Sequence, residues 1–158
     1  PKMLRFSRQL FGPVFTPKMC LAKADFHCTA SDLRLQKLSR LRIVDNSAIG
    51  RAAMMEGTPP KIIHVYSKKK FGYTGDKVLV TIKGEMKKAI IVGCHENQPA
   101  LQPRFDTNNA VLVDEAGSPL GTRILVPIPT HLRKKLKDMS RTKGADYTKL
   151  LSIATTFV

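Results

Sequence analysis

The side chains that could do chemistry in this chain are four histidines (His27, His64, His95, His131), three cysteines (Cys20, Cys28, Cys94) and scattered acids such as Asp45, Glu56, Asp76, Glu85 and Asp106. A nucleophile needs a base within reach, and a metal needs ligands at a defined spacing. Cys94 and His95 are adjacent, but neighbours on a strand point to opposite faces, so they do not make a nucleophile–base pair. The odd cysteine count without a CxxC spacing suggests neither a disulfide framework nor a zinc site, and it fits a reducing interior. His64 stands in a β-rich run and reads as a structural histidine. The loop holding Gly72 and Gly75 lacks the GK[ST] ending of a phosphate-binding P-loop. No catalytic residue, metal site or cofactor is predicted.

The other chemistry available is cationic. Lys and Arg outnumber Asp and Glu 27 to 12, giving a formal net charge of +15 and a pI of about 10.1. Such an excess repels itself in a compact fold unless a polyanion neutralises it. Nucleic acid does so through phosphate contacts and counterion release. An anionic membrane surface is the competing sink, but no apolar run approaches the roughly 18 residues that a spanning helix needs. The lysines and arginines cluster at Lys68-Lys69-Lys70, at Lys87-Lys88 and at Arg133-Lys134-Lys135, with Arg104 and Arg123 flanking an apolar unit. Separate clusters in one chain point to a phosphate-binding surface. With aromatics at 6% and no Trp, the composition argues against an aromatic stacking platform for single strands.

The stretch Arg104 to Pro129 reads as a hairpin. Its two apolar runs, Ala110–Val113 and Leu120–Val126, flank a turn at Asp114–Gly117. Upstream, Leu38–Val44 alternates, with Arg40 and Arg42 on its outer face. Further strands are expected at Lys61–Ser67, Lys77–Lys83 and Ala89–Val92, with a turn over Gly84–Lys88 and loops over Gly50–Pro60 and Gly93–Pro103. Short strands at this rhythm suggest a small barrel. Helices are expected at Ser31–Lys37, at His131–Met139 behind a Thr130 cap, and at Asp146–Ala154, with a basic break over Ser140–Gly144.

Residues 1–33 form a basic extension distinct from the domain at residues 34–158. No acid precedes Asp25, while Lys2, Arg5, Arg8, Lys18 and Lys23 recur among apolar residues and Ser7, Thr16 and Thr29. That composition marks a mitochondrial transit segment, the alternative being a basic arm that touches RNA.

Several blocks then occur in one order: Asp45-Asn46-Ser47, Gly75-Asp76 before KVLVTIK, KKAIIV, RFD before NNAVLV, and Pro119-Leu120-Gly121-Thr122-Arg123-Ile124. From about Leu38 onward the chain resembles the universal large-subunit ribosomal protein fourteen family, and its basic extension resembles that of mitochondrial members. The resemblance implies a mostly β fold: a small five-stranded β-barrel with a projecting β-ribbon and short C-terminal α-helices. It implies a structural, non-enzymatic role in the mitochondrial large ribosomal subunit, binding large-subunit ribosomal RNA at the subunit interface and supporting subunit joining. The partners it implies are small-subunit RNA across the interface, a neighbouring ribosomal protein through a shared β-sheet, and a ribosome-silencing factor, with no membrane. Lys68, Lys69, Lys70, Lys87, Lys88, Arg104, Arg123, Arg133, Lys134 and Lys135 are the expected RNA contacts. Thr130, His131, Arg133 and Lys134 are the expected docking residues for the silencing factor. The ribbon tip, Gly93–Ala100, carries no Lys or Arg and contributes no expected contact. The rival readings are a free RNA-binding module that regulates translation or RNA folding, and a basic nucleic-acid enzyme, for which the acids are too scattered.

Overall fold

The computed structural model describes residues 33–143 and 145–158. In chain order the elements are β1 (Arg42–Ile43), α1 (Ala48–Met55), β2 (Lys61–Val65), β3 (Lys77–Ile82), β4 (Glu85–Gly93), β5 (Asn109–Val113), α2 (His131–Lys143) and α3 (Thr148–Ser152). The strands make one five-stranded sheet in the order β1-β5-β4-β3-β2, with β1 parallel to β5 and the other pairs antiparallel.

The apolar runs explain the layering. Ala89–Val92 and Ala110–Val113 are buried at every position. In β4, Ala89 and Ile91 join one core and Ile90 and Val92 the other; in β5, Ala110 and Leu112 part from Val111 and Val113 in the same way. A strand covered on both faces reads as a continuous apolar run rather than as an alternation. Leu35, Leu41, Ile62, Val78, Val80 and Ile82 complete the first core. Ile124, Ile128, Leu132, Leu136, Tyr147 and Leu150 complete the second, under α2 and α3. β3 alternates instead, with Val78, Val80 and Ile82 buried and Lys77, Leu79 and Thr81 half-buried.

Several expected elements differ, each for a physical reason. The ladder is open rather than a closed barrel. β1 has only two residues and pairs with β5 alone, although its approach is tied to β2 by hydrogen bonds from Leu38 N to the Ile62 carbonyl (2.8 Å) and from Ile62 N to the Ser39 carbonyl (3.0 Å). The hairpin across Asp114–Gly117 is confined to its turn, with Leu120 N donating to the Leu112 carbonyl at 3.1 Å. Both edges of β5 are already filled by β1 and β4, so the 121–126 strip leaves; Ile124 instead bridges Asp45 and Ala154. No projecting ribbon forms at 94–108, where the prolines at 99 and 103 donate no ladder hydrogen bond.

Gly84–Lys88 is not a turn. The turn is Lys83-Gly84, both at positive φ (48° and 84°), which matches a two-residue hairpin turn of type I′ and places Lys87 and Lys88 on β4. The expected loop at Gly50–Pro60 begins as α1, capped by the Ser47 hydroxyl accepting from Gly50 N, and the chain turns at Gly57 with φ +68°. The helix expected at Ser31–Lys37 is not helical over its described part, where Leu35 bridges Gly72. The break at Ser140–Gly144 is absent up to Lys143, because Ser140 bonds back to the Leu136 carbonyl (2.9 Å) within a continuing α2.

One close approach positions the rest. A Cβ on Gly121 would lie 2.6 Å from the Asp45 Cβ and 2.9 Å from the Asn46 backbone nitrogen. Gly121→Ala is therefore expected to lower the unfolding free energy by roughly 1–3 kcal/mol through overpacking, read as a shift of the urea midpoint.

Candidate nucleic-acid interface

The basic residues fall into two groups that the sequence does not separate. The first is presented outward. After β2, Tyr66 N still donates to the Lys77 carbonyl (2.9 Å), and then the chain loops out over Ser67–Phe71 before Gly72 N pins it to the Leu35 carbonyl at 2.7 Å. Ser67 Oγ accepts from Lys69 N at 3.3 Å inside that loop. Lys68, Lys69 and Lys70 are exposed there. With Lys37 from the facing turn they line a groove of about 530 Å³ that has His64 and Phe71 on its walls and no carboxylate in its lining. Lys69 also lies over the Tyr73 ring at 5.2 Å, and four such ammonium groups around one groove carry the charge to neutralise a run of phosphates.

Arg104 and Arg123 are also exposed. They do not cap the two ends of a hairpin, since the hairpin is confined to the residues next to its turn. Arg104 lies in the 94–108 loop. Arg123 lies on the strip where its carbonyl accepts from Asn46 N (3.1 Å), with Thr122 Oγ1 3.5 Å from Asn46 Nδ2. Lys134 is exposed at the start of α2.

The second group is engaged within the fold. Lys87 pairs with Glu85 at 3.2 Å and Lys88 with Glu115 at 2.9 Å. The hydrogen-bonded Glu115 carboxylate holds Lys88 above the ordinary lysine range and is itself held below the ordinary carboxylate range. Arg133 lies over the Phe157 ring at 3.7 Å. Lys135 is committed most fully: its ammonium donates to the Thr74 carbonyl (2.6 Å) and to Asp76 Oδ1 (2.9 Å).

Of the four expected docking residues, three sit along a second groove and Arg133, over the Phe157 ring, does not line it. Thr130, His131 and Lys134 line a space of about 640 Å³ opposite Leu101 and Gln102. The Thr130 hydroxyl donates to the Val158 carbonyl at 2.7 Å, tying the helix start to the C-terminal strip. Burial, and then Lys135, keep His131 below the ordinary histidine range, which favours the neutral ring.

Two observations bear on chemistry. Among the described residues no group of three or more His, Cys, Asp or Glu could hold a metal ion, and no helix is long and apolar enough to cross a membrane. Burial pushes the Cys94 thiol up to about 11, although the Thr74 hydroxyl donates to its sulfur at 3.5 Å. His95 N donates to Asn108 Oδ1 (2.9 Å).

Sequence reasoning missed Lys37 and Lys61 as members of an exposed basic surface. It placed Arg40 and Arg42 on a strand face without counting them as contacts. Arg40 and Lys61 are bridged across the β1–β2 approach, and all four are exposed. Alternation in Leu38–Val44 was the available signal for the arginines; nothing local marked Lys37. His64, read from the sequence as a structural histidine, is exposed and meets the Tyr66 ring.

Comparison with known proteins then yields the following. The family described as Ribosomal protein L14p/L23e matches residues 34–158. A relative from Danio rerio, "Large ribosomal subunit protein uL14m", is 47% identical over 142 residues, covering 90% of this chain and 93% of its own length.

Two outcomes follow from this geometry. Lys135→Ala is expected to lower stability by about 1 kcal/mol, the half-exposed ion pair with Asp76 being screened by solvent, as read from the urea midpoint. Cys94 is expected to resist iodoacetamide at pH 8 until the chain unfolds, by peptide mass analysis. Because the unfolded thiol ionises near about 8.5 and the folded one near 11, stability should fall as pH rises through that window.

Proposed function

The chain belongs to the ribosomal protein L14p/L23e family, and from that membership we propose that it is a structural constituent of the mitochondrial large ribosomal subunit, held there by ribosomal RNA. As a ribosomal protein it is a structural component rather than an enzyme. The observation that carries the RNA-binding reading is the groove formed by Lys37 and Lys68–Lys70, four cations with no carboxylate among the lining residues. Arg104, Arg123 and Lys134 extend the presented charge. Lys87, Lys88, Arg133 and Lys135 contribute to the field and reach phosphate only by exchanging their present partners. Recognition of folded RNA by such a surface rests on phosphate position and 2′-hydroxyls rather than on base edges.

The finer assignments follow the family resemblance. The protein sits where the large subunit meets the small one, supports their joining and contacts small-subunit RNA. A neighbouring ribosomal protein extends its sheet, whose outermost strands are β1 and β2. The bonds of residues 38–41 to the β2 side support a barrel-like closure that the strand ladder itself does not make. A ribosome-silencing factor docks along Thr130, His131, Arg133 and Lys134. Residues 1–33 act as the mitochondrial targeting segment.

Sedimentation tests the reading. The full chain is expected to co-migrate with the mitochondrial large subunit on a sucrose gradient. Replacing Lys68, Lys69 and Lys70 together by Glu should move it to light fractions, because each lost phosphate contact removes about 0.9 from the salt slope of binding. A light, free peak for the unaltered chain would favour the regulatory RNA-binding module. Unchanged co-sedimentation of the charge-reversed variant would remove the groove from the interface.

A further inference from the structure

We propose that Tyr66 and His64 form a stacking site for one unpaired nucleobase of the large-subunit ribosomal RNA, whose flanking phosphates lie in the adjoining lysine groove. The proposal rests on the RNA-binding reading above and adds to it a base contact that phosphate binding does not require.

The first observation is a register shift. In a regular strand Ile62, His64 and Tyr66 would share one face. The β2–β3 ladder shifts between Ile62 and His64. The bulge lets both Ile62 and Val65 enter the core, opposite Val80 and Val78, and turns His64 and Tyr66 outward. Bulges that re-aim side chains are over-represented beside functional sites. His64 then stands opposite Leu79 on a sheet face that the C-terminal layer does not cover, since that layer buries Ile90, Val111 and Val113 farther along the sheet.

The second observation is ring geometry. The two rings meet edge-on, with centroids 5.1 Å apart and planes at 79°. An edge-to-face contact occupies at most one of the four ring faces, which leaves faces for a base. Other rings are used differently: Phe71 has Arg34 over it, Tyr73 has Lys69, and Phe157 has Arg133. Tyr66, the residue just after β2, is 43% exposed.

The third observation is charge. His64 is both part of the ring pair and part of the groove wall that holds Lys68 and Lys69. An occupant of the ring faces therefore passes directly into a cationic channel. That complementarity selects a polyanion carrying flat apolar groups, which is the chemistry of unpaired nucleotides. Two rings suffice for one base and not for a run of them, in keeping with an aromatic content of 6%.

The test uses the full chain and purified large-subunit ribosomal RNA freed of protein, with affinity measured across a salt series. Tyr66→Ala is expected to weaken binding about tenfold, the equivalent of about 1.4 kcal/mol, with the salt slope unchanged. Tyr66→Phe, which keeps the ring and removes the hydroxyl, should rescue it. Lys68→Ala should instead reduce the slope by about 0.9. Equal affinity of Tyr66→Ala and the unaltered chain overturns the proposal, as does a Phe variant as weak as the Ala variant. So does a slope that falls with Tyr66→Ala, which would mean that the groove itself had been displaced. Ultraviolet crosslinking in intact large subunits should join a nucleotide to the peptide 62–67; a neighbouring protein seated on Tyr66 there would overturn the RNA occupant. Failure of the unaltered chain to bind the RNA at all would sink the RNA-binding reading itself, a result separable from all of these.

Discussion

The structure depends on the burial of β4 and β5 on both faces. Ala89 to Val92 and Ala110 to Val113 divide their side chains between two cores, so neither core exists without the other. The pairing partners of these strands are then determined. β4 lies between β5 and β3, and β5 between β1 and β4, which leaves no free edge at the centre. The chain after Gly117 must look elsewhere for hydrogen bonds. It finds them at the Asp45 bridge and along the C-terminal strip, where Val158 N donates to the Ile128 carbonyl at 2.9 Å and Thr130 N to the Val158 carbonyl at 2.7 Å. The second core is closed by that detour, and α2 is held in place by it.

The detour meets β1 and α1 at a tight polar junction. Asp45 is buried, and burial raises its carboxyl above the ordinary range while the Ser47 hydroxyl, donating to Oδ1 at 2.9 Å, opposes that rise. The same hydroxyl oxygen caps α1 through Gly50 N. A Cβ at Gly50 would lie 2.7 Å from the Ser47 hydroxyl oxygen and 3.1 Å from Asp45 Oδ1, and one at Gly121 would press on Asp45 itself. The block Asp45-Asn46-Ser47 and the block Gly121-Thr122-Arg123 thus form one joint, far apart in the chain and adjacent in space. Asn46, Thr122 and Arg123 are exposed on its surface.

Net charge favours a polyanionic partner in general; it does not say which cations would meet one. The fold spends some of its lysines internally. Lys135 fastens α2 to the Thr74–Asp76 turn, and Lys88 and Lys87 hold carboxylates on the β4 face. Others are set apart from acids around the groove beside β2. A cation that already has a carboxylate must give it up before it neutralises a phosphate, so the groove lysines are the ones with most to gain from a polyanion.

Much of this was legible locally. The apolar runs Ala89–Val92 and Ala110–Val113, the alternating β3, the 132/136/139 spacing of α2 and the clustered cations are short-range patterns, and short-range patterns follow from side-chain period and charge. The ordered blocks from Asp45 to Ile124 pointed to the family because each is a local string. What tertiary structure alone decided is different in kind. Whether the Leu120–Val126 run pairs with β5 depends on whether that edge is vacant, which is a property of β1 and β4. Whether Lys135 faces solvent or Asp76 depends on where the turn at residues 74–76 is brought. The outward turn of His64 and Tyr66 depends on a one-residue slip against β3, and no residue within Lys61–Ser67 announces it. By itself the sequence determined which segments are apolar, which are cationic and what family they resemble, because these are sums over neighbouring residues. The tertiary structure decided which cations and rings are left available, because availability is set by partners distant in the chain.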